Sequence, residues 1–105
     1  MKILLLVLIG LVFVSLCTQP KIHSTPVAQG LCIQICQKTT KDLIDGPCLS
    51  DDNPDWNIDD WVCDVAHDPR QDVDNLPENQ CSAYREGRAK HFVEVDTNCN
   101  LIRAV

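Results

Sequence analysis

Cysteine is the residue type in this chain with the most chemistry to offer. There are seven in 105 residues: Cys17, Cys32, Cys36, Cys48, Cys63, Cys81 and Cys99. A thiolate can attack an electrophile or ligate a metal, and two thiols can oxidise to a disulfide. Zinc sites space their ligands as CxxC and HxxxH, and neither spacing occurs; His23, His67 and His91 are scattered. No metal is expected. Beyond residue 17 the serines are Ser24, Ser50 and Ser82, none in a nucleophile motif. Carboxylates are the other candidates. Nine aspartates lie between Asp51 and Asp74, with Arg70 as the one strong base among them. A calcium loop begun at Asp51 would place Asn53 and Asp55 at its third and fifth positions. Trp56 and Val62 then stand where it requires Gly and a bidentate Glu. The stretch reads as a solvated acidic loop. With no catalytic pattern and no cofactor motif, the expectation is a non-enzymatic protein.

Charge and the first residues say where such a chain belongs. Nine Lys+Arg against fifteen Asp+Glu give a net charge of −6, which makes nucleic acid a poor partner. Met1-Lys2 is a short basic start. Ile3 through Val14 is a twelve-residue run, apolar but for Gly10, and Ser15-Leu16-Cys17 supplies the small residues of a cleavage site. The expectation is a secretory signal peptide over 1–17, with a site near Ala28 as the alternative. The run is short of the roughly 20 residues that span a bilayer, so no membrane span is expected after cleavage. Loss of residues 1–17 removes Lys2 and Cys17, leaving 88 residues with a net charge of −7 and six cysteines. An even count in an oxidising compartment predicts three disulfides among Cys32, Cys36, Cys48, Cys63, Cys81 and Cys99. Six cysteines admit 15 pairings, which spacing alone leaves open.

The elements that position these residues follow from local pattern. Residues 18–30 are polar, with two Pro and one Gly, and read as a flexible N-terminal arm. Residues 31–105 form the disulfide-stapled domain. Cys32 and Cys36 are four apart, so one helical turn would put them on one face, reaching different partners. Asp45 to Asp60 carries Asp-Gly-Pro and Asn-Pro turn signals and reads as a long loop. Trp61-Val62-Cys63 suits a strand. Residues 67–80, with Pro69 and Pro77, read as another loop. Cys81 to about Arg88 favours a short helix ended by Gly87, and Phe92, Val93 and Val95 form a β-favouring run. The fold class expected is small, disulfide-rich α+β: a short helix, a few short strands, long loops and three disulfides. Trp61, beside Val62 and Cys63, is expected in the core more than Trp56. An exposed pair of tryptophans beside the acidic loop would favour a binding face.

Cys32-x3-Cys36, Val62-Cys63, Asn79-x-Cys81, Phe92-x-x-Val95 and Cys99 together resemble a divergent, non-classical Kazal-like domain of the kind found in small secreted insect proteins. The resemblance spans residues 32–99. The chain departs from the family in lacking a cysteine soon after Cys81, in carrying Cys48, and in having Pro77 where the family has Tyr. The resemblance implies an inhibitory loop of Gln37, Lys38, Thr39 and Thr40, braced by Asn79. Lys38 would be the primary specificity residue and would suit a trypsin-like serine protease with an acidic pocket. Two function classes follow. The first is a small secreted, cysteine-rich extracellular protein that binds another extracellular protein, for example in seminal or another glandular secretion. The alternative is a Kazal-like serine protease inhibitor acting through Lys38.

Overall fold

The computed structural model describes residues 24–105, so the expected leader over 1–17 and residues 18–23 of the expected arm lie outside the described residues. Helix α1 spans Thr25–Lys38. The expectation of a flexible arm over 18–30 is corrected at its end: residues 25–30 belong to the helix. Ser24 takes the extended backbone of an N-cap, and Pro26 sits in the first turn, where its missing N–H has no intrahelical acceptor to lose. Ala28, Cys32, Ile35 and Cys36 are the buried residues of the helix. Their spacing makes one stripe, and that stripe rather than intrinsic propensity holds α1 in place. Lys38 closes the last turn, where a cation opposes the helix dipole, and Thr39 leaves in extended backbone.

Three strands follow: β1 Trp61–Val65, β2 His91–Val95 and β3 Leu101–Ala104. The sheet order is β1-β2-β3. β1 and β2 run parallel in direct register, Trp61 beside His91 through Val65 beside Val95. A parallel pair needs a crossover. Here residues 66–90 supply it, carrying two short 3-10 turns and the one-turn helix α2, Ser82–Arg85. β2 and β3 are antiparallel, with an irregularity at Glu94/Val95. The sequence expectation located the runs of β1 and β2 and the short helix, but not β3.

Strand alternation sorts the side chains to two faces. Cys63, Val65, Val93 and Val95 are completely buried and pack with the α1 stripe, together with Trp61, Leu49 and Ile58. Val62, Cys48, Cys81 and Ala89 form a smaller cluster with Ala83 and Phe92 on the opposite side. Trp61 is in the core, as expected, and stacks on His91 with ring centroids 4.8 Å apart. Trp56 packs against the core half-buried and donates its indole N–H to the Trp61 carbonyl at 3.0 Å. The tryptophans therefore do not form an exposed face.

All six expected cysteines are paired: Cys32–Cys63, Cys36–Cys99 and Cys48–Cys81. The first ties α1 to β1 and the second ties it to the β2–β3 turn, so the two helix cysteines do reach different partners. The third ties the acidic loop to the start of α2. The closed stretches are 31, 63 and 33 residues long. In the chain-entropy picture, loops of this size are worth about 3–5 kcal/mol each. Fold and bridges together define a small disulfide-rich α+β protein.

One glycine is required by geometry. Gly46 ends the turn Leu43–Asp45 with φ +65°, in the left-handed region. A Cβ there would collide with the buried Asp74 carboxylate. Gly46→Ala should therefore lower stability by about 2–4 kcal/mol, from backbone strain and overpacking together. Denaturant midpoints read this directly, and a loss below about 0.5 kcal/mol would be within the range of ordinary surface substitutions and would contradict it.

Candidate functional site

The face of the sheet turned away from α1 is not covered by a helix along its whole length. α2 covers one end, and the loop after β1 comes over the other. Between them lies an open cavity of about 430 Å³, lined by Val62 and Asp64 of β1, Phe92 and Glu94 of β2, and Arg103 of β3. Tyr84 and Arg85 of α2 and Arg70 of the loop add to its walls.

Each wall has an identifiable anchor. Cys81 is the N-cap of α2, and its bridge to Cys48 holds the helix against the sheet. The Ser82 backbone N–H donates to the Asp51 carboxylate at 2.7 Å, which fixes the first turn. Tyr84 then meets Phe92 edge to face, 5.2 Å between centroids. On the other side, the buried Asp74 carboxylate accepts from the backbone N–H groups of His67 and Gln71 and lies 2.9 Å from His67 Nδ1. Burial works to raise the Asp74 pKa, but the two backbone donors and His67 outweigh it and hold the carboxyl below its ordinary value. This clip shapes the loop that delivers Arg70.

Each guanidinium nitrogen of Arg70 has a partner. Its Nε donates to Asn75 Oδ1 at 2.7 Å, Nη2 to the Asp74 carbonyl at 3.3 Å, and Nη1 to Glu94 Oε2 at 2.9 Å. Arg103 Nε donates to the other Glu94 oxygen at 3.1 Å, and its guanidinium carbon lies 5.8 Å from the Phe92 ring centroid. Glu94 is only 5% exposed, and its two oxygens meet two guanidinium groups. Asp64 is its register neighbour on β1, on the same face. Unlike Glu94 it has no cation bound to it, and its Oδ1 is buried without a hydrogen-bond partner. Its carboxyl is pushed up to about 8, first by burial and then by the Glu94 charge, with Arg70 pulling the other way. At neutral pH Asp64 is thus protonated, a donor facing the groove rather than a second anion. The groove then holds three arginines against one carboxylate.

The residues singled out from sequence fall elsewhere. Gln37 and Lys38 are exposed in the last turn of α1, with Thr39 and Thr40 following it in non-helical backbone. Asn79 donates to the Val73 carbonyl at 2.9 Å and so braces the 72–80 loop, not residues 37–40. The acidic loop uses its oxygens internally: Asp51 on Ser82, and Asn53 Oδ1 on the Asp55 N–H. Among the described residues, Cys48, Asp51 and Cys81 bring ligand-type atoms together, but the two sulfurs are bonded to each other and are not thiolates. The groove residues were missed because their signal is faint. It lies in the matching strands Val62-Cys63-Asp64-Val65 and Phe92-Val93-Glu94-Val95, each with an acid set among apolar residues.

Comparison with protein-family models, with curated proteins and with solved structures finds no match to this chain. Among the described residues no helix is long and apolar enough to cross a membrane. Three intramolecular disulfides suit an oxidising, extracellular setting.

The state of Asp64 sets a pH signature. Below about pH 4 the carboxyl is protonated whether the chain is folded or not. From there to about pH 8 the unfolded chain ionises it and the folded chain does not, so stability falls as pH rises. The slope reaches at most about 1.4 kcal/mol per pH unit, and it levels off above pH 8. Asp64→Asn should flatten the decline in urea midpoints across pH 4–8. A variant with the parent's slope would show that another group carries it.

Proposed function

We propose that this is a small secreted, non-enzymatic, cysteine-rich extracellular protein that works by binding through the groove on the open face of the sheet. The observation that carries the reading is the construction of the groove. Its walls are anchored by the Cys48–Cys81 bridge and by the Asp74 clip, which fix its shape through contacts within the chain. A preformed concave site loses little entropy on binding. Tyr84 and Phe92 supply apolar area, and the arginines supply directed donors. The leader over residues 1–17 and the bridges support secretion, as into a glandular fluid such as seminal secretion.

A second reading is inhibition of a trypsin-like serine protease through Gln37, Lys38, Thr39 and Thr40, as the Kazal-like resemblance implies. The exposure of Lys38, two residues from the bridged Cys36, favours it. A substrate-like segment is held by a protein partner as an extended strand. Lys38 is helical, so this reading requires the last turn of α1 to unwind. The groove needs no such change, which is why binding is preferred.

Two measurements test these readings. A mixed fragment set titrated onto the oxidised, secreted protein should shift backbone amide NMR signals around Val62, Tyr84 and Phe92; hits scattered over other surfaces would overturn the groove. In titrations against trypsin, parent and Lys38→Ala should both leave the enzyme active. Tight inhibition by the parent that disappears in Lys38→Ala would reverse the order of the two readings.

A further inference from the structure

We propose that the groove takes a small organic carboxylate bearing an apolar or aromatic group. The inference rests on the groove being the functional site and adds the chemistry of what fills it.

Charge is the first argument. The chain as a whole is acidic, at −6, yet Arg70, Arg85 and Arg103 converge on this cavity. Two of them meet Glu94, which neutralises only one positive charge. Structural ion pairing explains Arg70 in full, because each of its nitrogens has a partner. It does not explain the other two. Arg103 uses only Nε on Glu94, and Arg85 makes a single long bond, Nη1 to the Pro77 carbonyl at 3.4 Å. Both keep guanidinium donors for an acceptor in the groove. A planar fork of N–H groups matches a carboxylate in geometry as well as charge.

Shape is the second argument. Tyr84 and Phe92 meet at right angles at the wall and present apolar surface, with Val62 at the floor. An anion with no apolar part would leave that surface wet. A cationic amine would gain Glu94 but would lie among three arginines.

Asp64 is the third. It lines the cavity with its Oδ1 buried and unpartnered, and in the protonated form its carboxyl adds no second negative charge to the site. Glu94 from β2 and Arg70 and Asp74 from the loop after β1 act on its charge, while Arg103 from β3 and Arg85 from α2 line the same cavity. Ionisation of Asp64 would put a second anion beside Glu94 and repel a carboxylate. Binding therefore weakens as pH rises through about 8.

Three probes of one shape decide the matter: 3-phenylpropionate, its amide, and 3-phenylpropylamine. Each is titrated onto the oxidised, secreted protein, with affinity and location read from amide shifts at Tyr84, Phe92 and Glu94. The expected result is that the carboxylate binds there at least about tenfold more tightly than the amide, the scale of a charge-assisted contact. Arg85→Gln should weaken it several-fold, whereas Lys90→Gln, outside the groove, should not. Arg85 is exposed, so that variant keeps the fold. Asp64→Asn should retain the carboxylate's affinity at pH 7 and lose the decline above pH 8. Amide or amine binding at the groove as tightly as the carboxylate overturns the ligand class and leaves the groove reading intact. No shift at the groove with any probe overturns both.

Discussion

Two cysteines one helical turn apart bind α1 to the sheet, and the remaining structure is arranged around that constraint. Cys32 reaches β1 and Cys36 reaches the turn between β2 and β3. A chain of this length buries a small core, and α1 has Gly30 near its centre. Two bridges from one face set both the height and the rotation of the helix. The stripe of Ala28, Cys32, Ile35 and Cys36 then has to face Val65, Val93 and Val95. Cys99 adopts φ +64°, a conformation that an L residue other than Gly or Asn seldom takes. The turn tolerates it because the Asp96 side chain accepts from the backbone N–H groups of Asn98 and Asn100, while the bridge holds the sulfur in the core.

Once α1 covers one face of a three-stranded sheet, the other face must be dealt with differently. A second long helix would make it core. Instead, α2 is a single turn, held by the Cys48–Cys81 bridge, and the opposite wall is a loop held by one buried aspartate. The result is a polar groove over the sheet. Burying polar groups there is costly unless they are paired. Glu94 meets this condition with two arginines, whereas Asp64, whose Oδ1 has no partner, avoids the cost of a second buried charge by staying protonated. Two acids side by side thus meet different surroundings: two guanidinium groups bind Glu94, whereas burial first and the Glu94 charge second push the Asp64 carboxyl up.

The same contrast separates the groove from the acidic loop that dominates the sequence. The loop has many carboxylates, and two of them hold distant backbone in place, Asp51 at the Ser82 N–H and Asp60 at the Lys90 N–H. The groove has two, and both are shielded from water. Functional chemistry follows the environment of a carboxylate more than the number of carboxylates.

Much of the fold could be read from local pattern. The cysteine count called for three bridges, the apolar runs marked β1 and β2, and Cys81 to about Arg88 marked the short helix. These are properties of neighbouring residues and of redox chemistry, and they need no knowledge of distant contacts. α1 was underestimated at its start because polar residues there were weighed without the buried stripe that Ala28 begins. β3 was missed because four residues after a turn carry little signal until β2 offers its edge. The groove was almost invisible for a related reason. Asp64 and Glu94 lie 30 residues apart and Arg103 lies nine further on, and only the parallel register of β1 and β2 makes the acids neighbours. The pairing of six cysteines, the charge state of Asp64 and the convergence of three arginines all depend on which strands lie side by side. Composition and spacing specified the staples and the elements, whereas three-dimensional contact, which alone sets burial and the distance between charges, made a site out of them.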